Sequence, residues 1–166
     1  MNSLKTTRIE NSRHLRFASE ADFRHVFKEE MNSLFLLAAV LTADRAKAEE
    51  CFGRAFDSSL NALWVSTERA GSWARRAVVN QAIQLLVPRK GSTQSPAASN
   101  FIWPEIATLK NSIDALCLLD TFERFVVVMT VLERQSDSDC ALQLECTRRD
   151  VGIARASALR KLCASP

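Results

Sequence analysis

Arg124-Phe-Val-Val-Val-Met-Thr-Val-Leu132 is the stretch whose reading decides the fold. Its run of β-branched residues has the composition of a buried strand, which would place a sheet in the chain. Context argues for a helix. The run lies between segments of helical periodicity, has no flanking Gly or Pro, and finds no second strand candidate to pair with, whereas an isolated strand has nothing to bond to. The chain therefore reads as all-α.

Working backward from this stretch, Ile113, Leu116, Leu119 and Phe122 recur at helical spacing and lead into it. Working forward, Ser136-Asp-Ser-Asp139 is a polar break with several possible caps, and Cys140-Ala-Leu-Gln-Leu144 makes a short helix. After a second break at Glu145-Cys-Thr147, Thr147 and Asp150 form a T-x-x-D capping box that opens a last helix reaching Leu162. Upstream, Pro88-Arg-Lys-Gly-Ser-Thr-Gln-Ser-Pro96 is polar, lacks apolar periodicity and reads as flexible linker. The expected organisation is a frayed, polar segment 1–18, a first helical lobe 19–87, a linker 88–112 and a second lobe 113–166. Phe101 to Pro104 reads as a short docking segment anchored by Trp103.

In the first lobe, Phe23, Phe27, Met31, Leu34, Leu37, Ala38 and Leu41 form one buried helical stripe. Ala43-Asp44-Arg45-Ala46 breaks it, and Ala48, Phe52, Ala55, Phe56, Leu60 and Leu63 restart it as a second helix. A third is expected to begin at Ser72, whose hydroxyl would cap the first turn, and to run through Trp73, Ala77, Asn80 and Ile83 until Pro88 stops it.

Composition narrows the function. In 166 residues, 47% hydrophobic and 25% charged, there is the material of an ordinary folded domain or two small ones. Five scattered cysteines include no C-x-x-C pair, and His14 and His25 have no nucleophile or ligand set near them in sequence, so no metal, cofactor or catalytic constellation is expected. Cys140 and Cys146 read as small buried residues, and the cysteine pattern suits a reducing cytoplasmic compartment. The longest apolar run, from Leu34 to Leu41, is far short of the roughly 20 residues that span a bilayer.

Charge is segregated by helix. The last helix and tail carry Arg148, Arg149, Arg155, Arg160 and Lys161 against Asp150 alone, while residues 113–146 carry Arg124 and Arg134 against seven acids. Two short helices about three residues apart, with Ala141 small at the crossing and Val151 inside the second, make a helix-turn-helix pattern. The macrodipole by itself favours Arg160 and Lys161 near a helix C-terminus. It disfavours Arg148 and Arg149 at the N-terminus, where an anionic ligand such as DNA phosphate accounts for them better.

With these residues in place, the chain from about 22 to 162 resembles the extracytoplasmic-function sigma factors of bacterial RNA polymerase. Leu34-Phe-Leu-Leu-Ala38 looks like that family's core helix, and Ala48-Glu-Glu50 followed by Phe56 is similar to its A-E-D-x-x-Q-E-x-F motif. Ser72-Trp73 and Asn80 look like the S-W and N of its minus-ten helix. Leu119 through Arg124 and Asp139-Cys-Ala141 through Val151 follow its second-lobe patterns.

The resemblance implies a region-two-like bundle and a region-four-like helix-turn-helix joined by the linker, acting without enzymatic activity to direct core polymerase to promoters. Upstream DNA would be met by Thr147, Arg148, Arg149, Arg155, Arg160 and Lys161. The downstream element would be met by Trp73, Arg75, Arg76 and Asn80, with Trp73 read as core anchor or as stacking platform; Trp64 and Trp103 are assigned to packing. Polymerase would be met by Glu49, Glu50 and Arg54, and Glu49 and Glu50 are equally readable as solvated charges. RNA polymerase core, promoter DNA and an anti-sigma factor are the implied partners. Where the motif has Gln-Glu this chain has Gly53-Arg54. That departure raises an alternative: a degenerate sigma-like regulator that binds partners or DNA without productive polymerase engagement.

Overall fold

The computed structural model describes residues 16–86 and 107–164. Among them every regular element is helical, and Arg124 to Leu132 is helix, as its context demanded. The first helix, α1 (Glu20–Glu29), is opened by a capping box in which the Ser19 amide donates to Asp22 Oδ2 at 2.8 Å and the Asp22 amide donates to Ser19 Oγ at 3.3 Å. The expected single stripe from Phe23 to Leu41 is in fact two helices, because the backbone leaves helical geometry at Glu30 and restarts as α2 (Met31–Thr42). Their burial explains the break. In α1 only Phe23 and Phe27 are buried, whereas α2 buries Leu34, Leu37, Ala38, Ala39, Val40 and Leu41 around its circumference and must be enclosed by neighbours.

Ala43 ends α2 in the left-handed region (φ 51°), and Asp44 caps α3 (Arg45–Leu60) by accepting from the Lys47 amide at 2.8 Å. Leu63, expected to continue α3, lies beyond its end. Trp64, assigned to packing, is 80% exposed at a positive φ of 66° and meets the Phe17 ring edge-on at 5.3 Å. Arg16 to Ala18, expected to fray, are tied to the same loop. The Ala18 amide donates to the Val65 carbonyl at 2.7 Å and the Thr67 amide to the Arg16 carbonyl at 2.9 Å.

A 3-10 turn (Thr67–Arg69) leads directly into α4 (Ala70–Leu86). Ser72 therefore sits inside the helix rather than capping it, because the preceding turn already supplies the entry. Residues 87–106 lie outside the described residues, and with them most of the proposed linker, Trp103 and its docking segment. The helix α5 (Ala107–Leu118) begins inside the stretch read as linker.

Asp120 caps α6 (Thr121–Val127), which continues as a π-helical turn (Val128–Leu132); Ser136 caps α7 (Asp137–Gln143), and α8 (Arg148–Ala164) closes the chain. Helices α2, α3 and α4 pack together with α1 alongside, while α6, α7 and α8 pack on each other. The two groups meet where α2 touches α5 and α6, and Leu34, Leu37 and Leu41 share one apolar cluster with Phe125, Met129, Cys140 and Val151. At this contact Arg124, 6% exposed, donates through Nε to the Leu41 carbonyl at 3.1 Å and through Nη1 to the carbonyls of Cys117 and Leu119. It thereby satisfies acceptors left open at the ends of α2 and α5.

Candidate nucleic-acid interface

The turn between α7 and α8 is short because Glu145 takes a left-handed conformation (φ 53°), which lets the Cys146 amide return to the Ala141 carbonyl at 2.9 Å. Thr147 then starts α8 with the expected box: its amide donates to Asp150 Oδ2 at 3.0 Å, and the Asp150 amide donates to Thr147 Oγ1 at 3.2 Å. The Thr147 hydroxyl, which donates to Asp150 Oδ2 at 2.6 Å, and then the Thr147 amide hold the Asp150 carboxyl below its usual range. Ala141 and Val151 are both buried at the crossing, beside Cys140 and Ala154. The chain thus has the local form of a helix-turn-helix.

The five cations of α8 divide into two sets. Arg148, Arg149 and Arg160 are exposed and form no ion pair with the described residues. Arg155 is instead clamped to Asp137 at the start of α7, with Nη1 on Oδ1 and Nη2 on Oδ2 at 3.0 Å. Lys161 is held by Glu123, its Nζ lying 2.8 and 2.6 Å from the two carboxylate oxygens, and Ser157 Oγ donates to the same carboxylate at 2.7 Å. Glu123 is buried, and the Lys161 ammonium beside it keeps its carboxyl below the ordinary range. The structure thus uses two of the cations expected at DNA to fasten α8 to α7 and α6.

The outward face of α8 has a member that charge reasoning missed. Arg149, Ile153, Ala156 and Arg160 recur at helical spacing and all are exposed, with Ile153 at 59%. An apolar, low-profile centre flanked by two arginines is suited to a groove, where an alkyl side chain can meet a thymine methyl and arginine a guanine edge or phosphate. An exposed β-branched residue within a polar face was the available signal.

A second site lies between α3 and α4. Trp73, Arg76, Asn80, Gln81 and Gln84 from α4, with Ser58 from α3, line a cleft of about 180 Å³. Trp73 is 40% exposed, so it neither fills the core nor stands free, and it borders the cleft. Three of the four residues expected at the downstream element are brought together here. The amides of Gln81 and Gln84 were missed, although their spacing from Trp73 and Asn80 puts them on the same face. The cleft combines an aromatic surface, a cation and several two-sided hydrogen-bonding groups.

Arg75, the fourth, points elsewhere. It makes a two-pronged pair with Glu133, Nε to Oε2 at 2.8 Å and Nη2 to Oε1 at 2.6 Å, and its Nη1 donates to Ser33 Oγ at 2.9 Å. Glu30 stands 3.8 Å away. On the outer side of α3, Glu49 pairs with Arg45 at 2.9 Å and Glu50 with Arg54 at 2.5 Å, all exposed. Gly53 between them faces open space, with nothing within 4 Å of where a Cβ would stand.

Cys51 and Cys140 carry no reactive signature. Burial pushes the Cys51 thiol up to about 12 and the Cys140 thiol up to about 11, and Cys140 Sγ rests 4.0 Å from Met129 Sδ. Among the described residues no group of His, Cys, Asp and Glu is placed to hold a metal ion, and no helix is long and apolar enough to cross a membrane. No protein-family model matches the chain, and no curated protein does.

Proposed function

We propose that the protein is a non-enzymatic, cytoplasmic transcription initiation factor of the extracytoplasmic-function sigma type, which binds RNA polymerase core and promoter DNA. The observation that carries the reading is the capped α7–α8 unit, whose second helix presents Arg148, Arg149 and Arg160 exposed and in no ion pair among the described residues. Cations at a helix N-terminus oppose the macrodipole, so their placement at Arg148 and Arg149 is explained by an anion outside the chain. Promoter DNA is that anion in this reading. The α3–α4 cleft supports it independently, since an indole with an arginine and amides suits an unpaired base of the downstream element better than a duplex groove.

The experiment is run-off transcription with purified core polymerase and a promoter library. Sequence-selective initiation is the expected result, and absence of stimulation by every library member with folded protein overturns the reading.

A second reading, a sigma-like regulator without productive polymerase engagement, is favoured by α3. Glu50 and Arg54 neutralise each other there, and Glu49 is taken by Arg45, so the face at Gly53-Arg54 offers polymerase little unpaired charge. A pull-down separates the two: retention of core polymerase supports the first, and its loss with duplex binding intact supports the second. Release by an anti-sigma factor belongs to the first reading.

A further inference from the structure

The middle of the outward face of α8 has little with which to read a base. Between Arg149 and Arg160, helical spacing puts Gly152, Ile153 and Ala156 on that face. The polar side chains on its flanks are turned back onto the protein: Arg155 is forked onto Asp137, and Ser157 Oγ donates to Glu123 at 2.7 Å. Ile153 stands 59% exposed in the second turn, near the N-terminal end that enters a groove, whereas Leu159, 41% exposed, lies nearly two turns further on. Gly152 beside it is not required by the fold, since a Cβ there would meet nothing within 4 Å, yet Gly is less favourable than Ala inside a helix. Its effect is to leave the flank of Ile153 bare. Between the two arginines, the Ile153 side chain alone rises above the helix by more than a methyl group.

An alkyl group has no donor or acceptor, so it is blind to the hydrogen-bonding edges by which most side chains tell bases apart. What it can distinguish in a major groove is the methyl group on C5 of thymine, an apolar projection that uracil and cytosine lack and 5-methylcytosine shares. Arg149 and Arg160, exposed and in no ion pair among the described residues, supply the attraction that seats such a face on a polyanion, so a duplex matches it better than an apolar protein surface. We propose that Ile153 sets base choice at the centre of the α8 footprint by reading a C5-methyl group: thymine is preferred to uracil there, and 5-methylcytosine to cytosine, by the same factor. This assignment rests on α8 being the duplex-binding helix of the preceding section and adds the chemical feature that the helix selects. It makes binding by this chain responsive to methylation of a cytosine at that position.

The test begins by selecting sites from a randomised duplex library with the full chain, alone and with core polymerase. The enriched duplex is labelled with fluorescein, each of its thymines is replaced in turn by deoxyuridine, and binding is read by anisotropy at fixed salt. At the position under Ile153 the replacement is expected to weaken binding about fourfold, the factor for one buried methyl group. At the same position 5-methylcytosine paired with guanine is expected to bind about fourfold tighter than cytosine paired with guanine. Ile153→Ala, checked for folding by circular dichroism, is expected to bring each pair to within about 1.5-fold, because the two changes remove the same contact. Arg149→Ala is the control: it should weaken every duplex and keep the methyl factor. If no uracil replacement weakens binding, or if Ile153→Ala keeps the methyl factor, the methyl reading is overturned while α8 remains the duplex-binding helix. If the folded chain enriches no sequence, alone or with polymerase, the methyl reading and the assignment of α8 both fall.

Discussion

Arg124 Nε donates to the Leu41 carbonyl across 83 residues of sequence, joining the end of α2 to the start of α6 inside the core. The same guanidinium takes the carbonyls of Cys117 and Leu119 and has only backbone oxygens for partners, so burial lowers its pKa from the ordinary value. Truncation to Ala strands two buried acceptors and one partly buried one at once. We expect Arg124→Ala to lose about 2–4 kcal/mol, read from the urea midpoint, since each unsatisfied buried group costs about 1–3 kcal/mol and some water will enter. A loss under ~0.5 kcal/mol would mean that those carbonyls find other donors.

Gly53 makes the opposite prediction. It lies within α3, and a Cβ there meets nothing within 4 Å. Gly in a helix interior is less favourable than Ala by about 0.8–1.0 kcal/mol, so Gly53→Ala is expected to raise the thermal midpoint while leaving the fold unchanged. A fall in the midpoint would show that the backbone at this position is closely approached.

The parts of this structure that depend on neighbours in sequence were readable there. The Thr147–Asp150 box caps the helix it was expected to cap, and the Ser136-Asp-Ser-Asp139 break, read as holding several possible caps, supplies one in Ser136, because capping is settled within four residues. Arg124 to Leu132 was readable as helix from its flanks. The break at Glu30 was not, since neither Gly nor Pro marks it and its cause is the need to enclose α2 on all sides. The fates of Arg75, Arg155 and Lys161 were hidden for a similar reason: their carboxylates lie 58, 18 and 38 residues away, and only the helix crossings bring them together. Trp64 shows a last limit, for nothing in its flanks distinguishes an indole in a loop at positive φ from one in the core.

The Glu123–Lys161 pair sets an acid limb on stability. Chiefly through the Lys161 hydrogen bond, the folded-state pKa of Glu123 is lowered from 4.5, so its contribution is fully present above that value and is lost as pH falls through the lower folded pKa. Lys161 is raised from 10.5, so its share is complete below that value and is lost only in strong alkali. Between these limits the pair contributes a constant amount. Urea midpoints measured from pH 6 down to pH 3 should fall less steeply for Glu123→Gln than for the parent, and parallel curves would show that Glu123 titrates alike in both states.

The division of the α8 cations yields a contrast within one helix. Arg148 and Arg149 form no ion pair among the described residues, so Arg148→Ala and Arg149→Ala should leave the thermal midpoint nearly unchanged. Each should weaken duplex binding and reduce the slope of log affinity against log salt by about 1, as one lost phosphate contact requires. Arg155 should behave in the reverse manner. Its fork onto Asp137 staples α8 to the first turn of α7, and because both groups are about a third exposed the pair is worth only about 1 kcal/mol. Arg155→Ala should therefore lower the midpoint, and in a double-mutant cycle Asp137→Ala should add little further loss. If Arg155→Ala instead preserves stability and reduces the salt slope as much as Arg149→Ala does, then Arg155 leaves Asp137 when DNA binds.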